Sequence, residues 1–338
     1  MTAAAREAVT RGLTLWANPS SPHAEGRAAR AALEQARRAI AGAYGWRGET
    51  LLTSGASESL AIALGRTTAP RRLITAVEHD AVMRAGAGAD VLRVGTDGIV
   101  DLDGLAATLA NGPALVCVQW ANSETGVRQP IAAIAAVVHG AGGTLLVDAA
   151  QMPALPELAG VADMVALSAH KRGGPPGVGA LLVRDLASLH PSGGQERGYR
   201  PGTENLPGVL GYAAALAEPE PDHAALRARL DDAIERSGGE IVAAHAPRHP
   251  AIGSYRLRGS AAAAQLILLD GAGFAVSAGS ACSSGSMKPS HVLAAMGWDE
   301  GAGREVIRVS FGRTTTGADV DAFVAAWRQM ARTTRRAA

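Results

Sequence analysis

The sequence has no apolar run that approaches the roughly 18 residues a membrane span requires. It also has almost no net charge: 32 Lys+Arg against 31 Asp+Glu leave +1. That gives no electrostatic case for nucleic acid or an anionic membrane as principal partner. There are only 2 cysteines, and neither sits in a CxxC pattern. This excludes a disulfide framework and a thiolate metal site, and fits a reducing compartment. The first residues, MTAAAREAVTRGL, lack the apolar core of a signal peptide, so a cytoplasmic location is expected. Internal repeats and long low-complexity tracts are missing too, which removes solenoid architectures. What is present is an ordinary globular balance, 47% apolar and 19% charged over 338 residues, enough for one large core or two domains.

Short β-rich runs occupy residues 50–53, 72–77, 90–94, 114–120, 144–148, 164–168 and 179–183, with alanine-rich helical spacing between several of them, as at 57–66 and 130–140. This alternation predicts crossover connections and a mostly parallel sheet with helices on both faces, an α/β fold. Residues 22–43 read as one long amphipathic helix preceding it. The cluster Glu218-Pro219-Glu220-Pro221 is the best boundary. Beyond it the pattern becomes helix 222–236, strands 241–245 and 252–257, helix 261–270, a loop, a helix near 290–296, strand 305–311 and helix 318–332, a smaller α+β unit.

Two of the apolar runs end in chemistry. MVALSAHK closes on Lys171, and TLLVD closes on Asp148 with Gln151 shortly after. A lysine and an acid at neighbouring strand ends could hold pyridoxal phosphate, the lysine carrying the aldehyde as a Schiff base and the acid keeping the pyridine nitrogen protonated. The plainer alternative is a lysine snorkelling to solvent beside an ordinary loop aspartate. Thr53-Ser-Gly-Ala-Ser-Glu58 follows a strand and opens a helix, a phosphate cradle or merely a cap. Glu78-His79 ends another strand at the edge where α/β sheets bind ligands, so His79 could stack on a ring or simply open a surface helix. The stretch Gly193–Thr203 (GGQERGYRPGT) could deliver Arg200 and Thr203 to an anion, or be a surface excursion. Cys117 lies inside the apolar run ALVCVQW and reads as buried. Cys282 lies at the centre of SAGSACSSGS, a setting that suits a reactive thiol carried between sites. Arg308, in VIRVS, is placed to clamp a carboxylate or to make a structural ion pair.

In chain order, NPSSPH (18–23), TSGASES (53–59), Glu78-His79, NSETG (122–126), DAAQ (148–151), SAHK (168–171), GQERG (194–198), RPGT (200–203), GSACSSG (279–285), PSHVL (289–293) and RVS (308–310) resemble the cysteine desulfurases, in particular the group I, NifS/IscS-like branch. The resemblance implies the fold of pyridoxal-phosphate-dependent transferases of the aspartate aminotransferase type (fold type I). It divides the chain into a large domain at 15–218 and a small one at 219–338 that includes residues 1–14. It further implies a homodimer with shared active sites. Carried over position by position, Lys171 holds the cofactor aldehyde, His79 stacks on the ring, Asp148 pairs with its nitrogen, and Gln151 reaches its phenolic oxygen. Ala56, Ser57, Ser168 and His170 hold the phosphate, with Thr203 supplied by the other subunit, and Ser123 is a cofactor neighbour. Asn18 and Arg308 bind the substrate carboxylate, and Cys282 is the thiol that takes sulfur from L-cysteine, leaving L-alanine and a persulfide for an acceptor protein, such as an iron–sulfur scaffold. No metal is implied.

The chain departs from the family pattern at three places. An Asp-x-x-Ala-Thr-Thr-Pro-like opening segment is expected to end before the position of Met1, so substrate contacts are expected to be incomplete. Ser123 stands for the second Asn of the usual Asn-Asn-Glu, and Ser57 for the usual Thr. The alternatives are a selenocysteine lyase, another pyridoxal phosphate lyase of the same fold, or a catalytically impaired scaffold. The last is opposed by Lys171, Asp148 and Cys282 standing together.

Overall fold

The computed structural model describes residues 1–279 and 289–337; the Cys282 expectation lies outside these residues. The first sheet is built from β1 (Glu49–Thr53), β2 (Arg72–Thr75), β3 (Asp90–Leu92), β4 (Leu115–Gln119), β5 (Thr144–Asp148), β6 (Met164–Ser168) and β7 (Gly179–Val183). Their spatial order is β1-β7-β6-β5-β4-β2-β3. Neighbours from β3 to β6 pair in parallel, while β7 runs against both β6 and β1. The carboxyl ends of β1, β2, β4, β5 and β6 therefore share one edge. A second sheet has the order β10-β11-β9-β8, from β8 (Glu240–Ile241), β9 (Ile252–Arg256), β10 (Ser277–Ala278) and β11 (Val306–Ser310), with antiparallel pairing throughout.

The central strands are continuous apolar runs because both faces of the sheet are covered. Val116, Val118, Leu145, Val147, Val165 and Leu167 pack on one side in a cluster with Leu33, Ile40, Ile134 and Tyr212. These last four come from α2 (Ala24–Ala43), α6 (Ile131–Gly140) and α7 (Leu206–Leu216). The alternate residues Leu115, Cys117, Leu146, Met164 and Ala166 pack on the other side with Leu60, Leu64 and Val82. Here the cover is α3 (Ala56–Gly65) and α4 (Asp80–Ala85). Cys117 is fully buried there, as its apolar surroundings predict, and burial pushes its thiol well above the usual range. The second sheet packs Tyr255, Ile307 and Val309 against Leu230 and Ile234 of α8 (Ala224–Arg236) and against Phe323 and Trp327 of α12 (Gly317–Ala337).

Local differences from the sequence reading have physical causes. The run 241–245 stops being strand after Ile241, because Ala243 turns with φ +52°. Residues 1–14, grouped with the small domain on resemblance, form α1 (Ala3–Thr14) and lie along α7. Gly12 meets Pro207, and Gly211 meets Val9 so closely that neither glycine has room for a Cβ. Among the described residues no helix is long and apolar enough to cross a membrane.

Candidate active site

The shared carboxyl edge of the first sheet holds a cavity of about 490 Å³. Ala56, Ser57, His79, Ser123, Asp148, Gln151, Ser168, His170, Lys171 and Arg308, ten of the expected site residues, line it. Most lie at or just beyond the ends of elements of the first sheet, which acts as the positioning frame, while Arg308 comes from within β11 of the second.

Asp148 is the last residue of β5 and is buried. Its Oδ1 accepts from Ala150 N–H at 2.9 Å. Burial raises its pKa, opposed by that hydrogen bond and by His79 and Lys171. Lys171 sits in the single 3₁₀ turn Ala169–Arg172 that follows β6, and the turn is closed by Gly173 at φ +79°. His79 caps α4, its Nδ1 accepting from Ala81 N–H at 3.1 Å. Burial lowers its pKa and so favours the neutral ring, which, with Nδ1 accepting, carries its proton on Nε2. Burial likewise lowers the pKa of His170, helped by Lys171, and its Nδ1 lies 2.9 Å from Ser168 Oγ.

The start of α3 faces Ser168. Gly55 is its N-cap at φ +151°, a conformation closed to side chains, so the backbone comes close with free N–H groups. Glu58 reaches back to Ser54 N–H at 2.5 Å and accepts Arg200 Nε at 2.9 Å. Arg200, offered by the sequence as an anion binder, is thus engaged with Glu58. The loop it belongs to is no loose excursion. Glu196, buried at φ +50°, is clamped by Arg37 and accepts Leu52 N–H at 2.8 Å.

Arg308 enters from β11 of the second sheet. Its Nη1 donates to the Ser123 carbonyl at 3.0 Å and its Nη2 to Ser277 Oγ at 3.1 Å. Asn18 and Thr203 are not brought to the cavity in this single chain. Asn18 is exposed, with Oδ1 accepting from Ser20 N–H at 2.9 Å, and Thr203 is exposed as well.

The lining residues that escaped assignment by sequence include Glu78, Gln119, Glu124 and His291. Gln119 gave one legible signal, a polar residue closing an apolar strand. The others lay within motif stretches but carried no spacing that fixes a role. Ser290 Oγ donates to Glu124 Oε2 at 2.5 Å, and His291 Nε2 lies 2.9 Å from the Glu78 carbonyl, which ties the segment after residue 288 to the sheet edge.

The site fits pyridoxal phosphate. The Asp148 carboxyl, buried on the wall of the cavity that Lys171 and His79 also line, suits a protonated ring nitrogen. The glycine-led helix start with Ser57, Ser168 and His170 suits a phosphate.

Comparison with known proteins agrees. Residues 7–323 match the family model for class-V aminotransferases. A cysteine desulfurase from Cereibacter sphaeroides is 38% identical over 90% of this chain and 86% of its own length. The NifS-like protein from Rickettsia africae superposes with a TM-score of 0.88 at 28% identity, covering 98% of this chain and 96% of that one. A structure described as SspA in complex with cysteine gives 0.81 at 27% identity, over 94% of this chain and 97% of that one. With the sheet edge, the lysine turn and the phosphate cradle in one cavity and the match spanning nearly the whole sequence, the chain belongs to the class-V aminotransferase family.

Proposed function

We propose that this chain is a cysteine desulfurase that removes sulfur from L-cysteine, releases L-alanine and keeps the sulfur as a persulfide on Cys282. The observation that carries the reading is the convergence of Lys171, Asp148, His79, the α3 start and Arg308 on one cavity, in a chain similar to cysteine desulfurases over most of its length. Pyridoxal phosphate, when bound, supplies an aldehyde and an electron-withdrawing ring that acidify the Cα proton of an amino acid.

The residues then divide the work. Lys171 Nζ would hold the aldehyde, and as a free amine it would take the Cα proton of the substrate. Asp148 holds the ring nitrogen's proton in place. His79 would stack on the ring, and Gln151, which lines the same cavity, would reach its phenolic oxygen. Ser57, Ser168 and His170, with the Ala56 backbone, hold the phosphate, and Ser123 borders the ring. Arg308 binds the substrate carboxylate, its guanidinium already aimed by Ser123 and Ser277. Cys282 thiolate attacks the substrate sulfur; the substrate's C–S bond breaks, its electron pair stays with carbon, and an S–S bond forms on the enzyme. The proposal includes a homodimer in which Thr203 serves the partner's site, Asn18 as a further group on the substrate carboxylate, and an acceptor protein that takes the persulfide sulfur.

The test is turnover of L-cysteine beside L-selenocysteine, with mass spectrometry of Cys282. Alanine release with one extra sulfur on Cys282 is expected. The variant Cys282→Ser should keep the visible absorbance of the bound cofactor and lose the persulfide. Lys171→Ala should lose the lysine-linked absorbance and at least about a hundredfold in rate. Turnover of selenocysteine alone would reassign the chain as a lyase for that substrate. A purified protein that takes up no pyridoxal phosphate would make it a scaffold.

A further inference from the structure

Glu78 has no part in the chemistry above, yet it is a carboxyl with 0% exposure at the cavity wall. Its Oε1 accepts from Thr75 Oγ1 at 2.6 Å and from Gln119 N–H at 2.9 Å, so one oxygen joins the ends of β2 and β4. Its Oε2 is buried and has no hydrogen-bond partner among the described residues. The groups that face the carboxyl are Thr75 on β2, Gln119 and Cys117 on β4, and Asp148 on β5. His291, on the helix His291–Ala295, contacts the Glu78 carbonyl instead. None of these is a lysine or an arginine.

A buried carboxylate with no cation facing it and one oxygen bare among the described residues is far costlier than a buried neutral acid. A second ionised carboxylate at the same sheet edge, Asp148, adds repulsion to that cost. Burial, with Asp148 adding to it, pushes the Glu78 pKa up to about 8.

We propose that Glu78 is a neutral carboxylic acid in the working protein, a positioning residue that fastens β2 to β4 so that, of the two buried acids, only Asp148 is charged beneath the cofactor ring. The second half of this statement rests on the cofactor reading; the first half does not. An ionised Glu78 would raise the proton affinity of Asp148 through repulsion between the two carboxylates.

The test compares the full wild-type chain with Glu78→Gln, which mimics the neutral acid, and with Glu78→Ala. Denaturant unfolding is followed from pH about 5 to about 9. Folded wild type holds a proton that its unfolded chain releases near the ordinary value of 4.5, so its stability falls as pH rises toward about 8. Glutamine has no such proton. The stability of Glu78→Gln relative to wild type should therefore climb with pH and level off above about 8. A difference that stays flat across the range overturns the proposal.

Pyridoxal phosphate affinity at pH about 7 is the second readout. Glu78→Gln should bind within about threefold of wild type, while Glu78→Ala, which strands two buried donors, should bind about tenfold more weakly or worse. If the Gln variant fails along with Ala, the carboxylate form is the one required and the proposal is wrong. Should wild type bind no pyridoxal phosphate at all, the cofactor reading falls, and the unfolding comparison still decides the protonation of Glu78.

Discussion

At the scale of single residues, charge state is set by burial more than by residue type. Lys171 and Asp148 were legible because each closes an apolar run, and that position survives any folding arrangement that keeps the strands. Glu78 shows the limit. In sequence it is the acid before a histidine, and nothing local says that its carboxyl is sealed between two strand ends. His249 is a second such case. Its Nδ1 accepts from Ala251 N–H at 3.1 Å, and burial, then Arg172, Arg128 and Arg227, push its pKa down to about 4. The unfolded chain takes up that proton near pH 6.5 and the folded chain does so only near 4. Stability contributed by the neutral ring is therefore present above pH 6.5 and is lost as pH falls toward 4. The loss amounts to roughly 3 kcal/mol at most, because the ring retains some solvent contact. In His249→Gln, acid unfolding curves should lose this slope between pH about 6.5 and about 4; an unchanged slope would place the proton elsewhere.

At the scale of elements, the strands and long helices followed from their apolar spacing, and errors concentrated at ends, where one torsion decides. Ala243 ended the expected strand at 241–245 by turning to φ +52°. The element that most constrains the site is β7. An added Cβ on Gly179 would strike the Leu167 carbonyl oxygen and lie 2.5 Å from Gly55 Cα, the residue that opens α3. Gly179→Ala should thus cost about 1–3 kcal/mol in stability through overpacking. It should also weaken pyridoxal phosphate binding, because the strain is relieved by displacing the phosphate-facing helix start. Thermal unfolding and cofactor titration check the two effects separately, and loss of stability with unchanged affinity would show that the strain is absorbed away from Gly55.

At the scale of the whole molecule, the site draws on both sheets, since Arg308 reaches over from the second to the Ser123 carbonyl of the first. Thr203 is exposed in the single chain, and the proposed homodimer has it serve the partner's cavity. This gives a complementation test. Lys171→Ala and Thr203→Ala are each expected to be impaired alone, and when mixed and allowed to exchange subunits should regain activity. In such a mixed dimer one site keeps both the lysine of its own chain and the threonine of the other. Failure to regain activity, in a preparation shown by sedimentation to exchange, would remove Thr203 from the shared site. The placement of α1 belongs to this scale too. Its glycine contact with α7, Gly12 against Pro207, depends on two surfaces far apart in sequence, so no local pattern announced it.

The sequence by itself determined the α/β alternation, the doubly covered strands, and the positions of Lys171, Asp148, His79 and Arg308 at element ends or within a strand. These depend on which residues are apolar and at what period, and local burial patterns record that directly. Only the tertiary structure decided the strand order, with β7 reversed between β6 and β1. That order sets the α3 start against Ser168, engages Arg200 with Glu58 and seals Glu78 beside Asp148. Such contacts join residues tens of positions apart, and their energies depend on mutual desolvation and geometry that exist only once the sheet has closed its ligand edge.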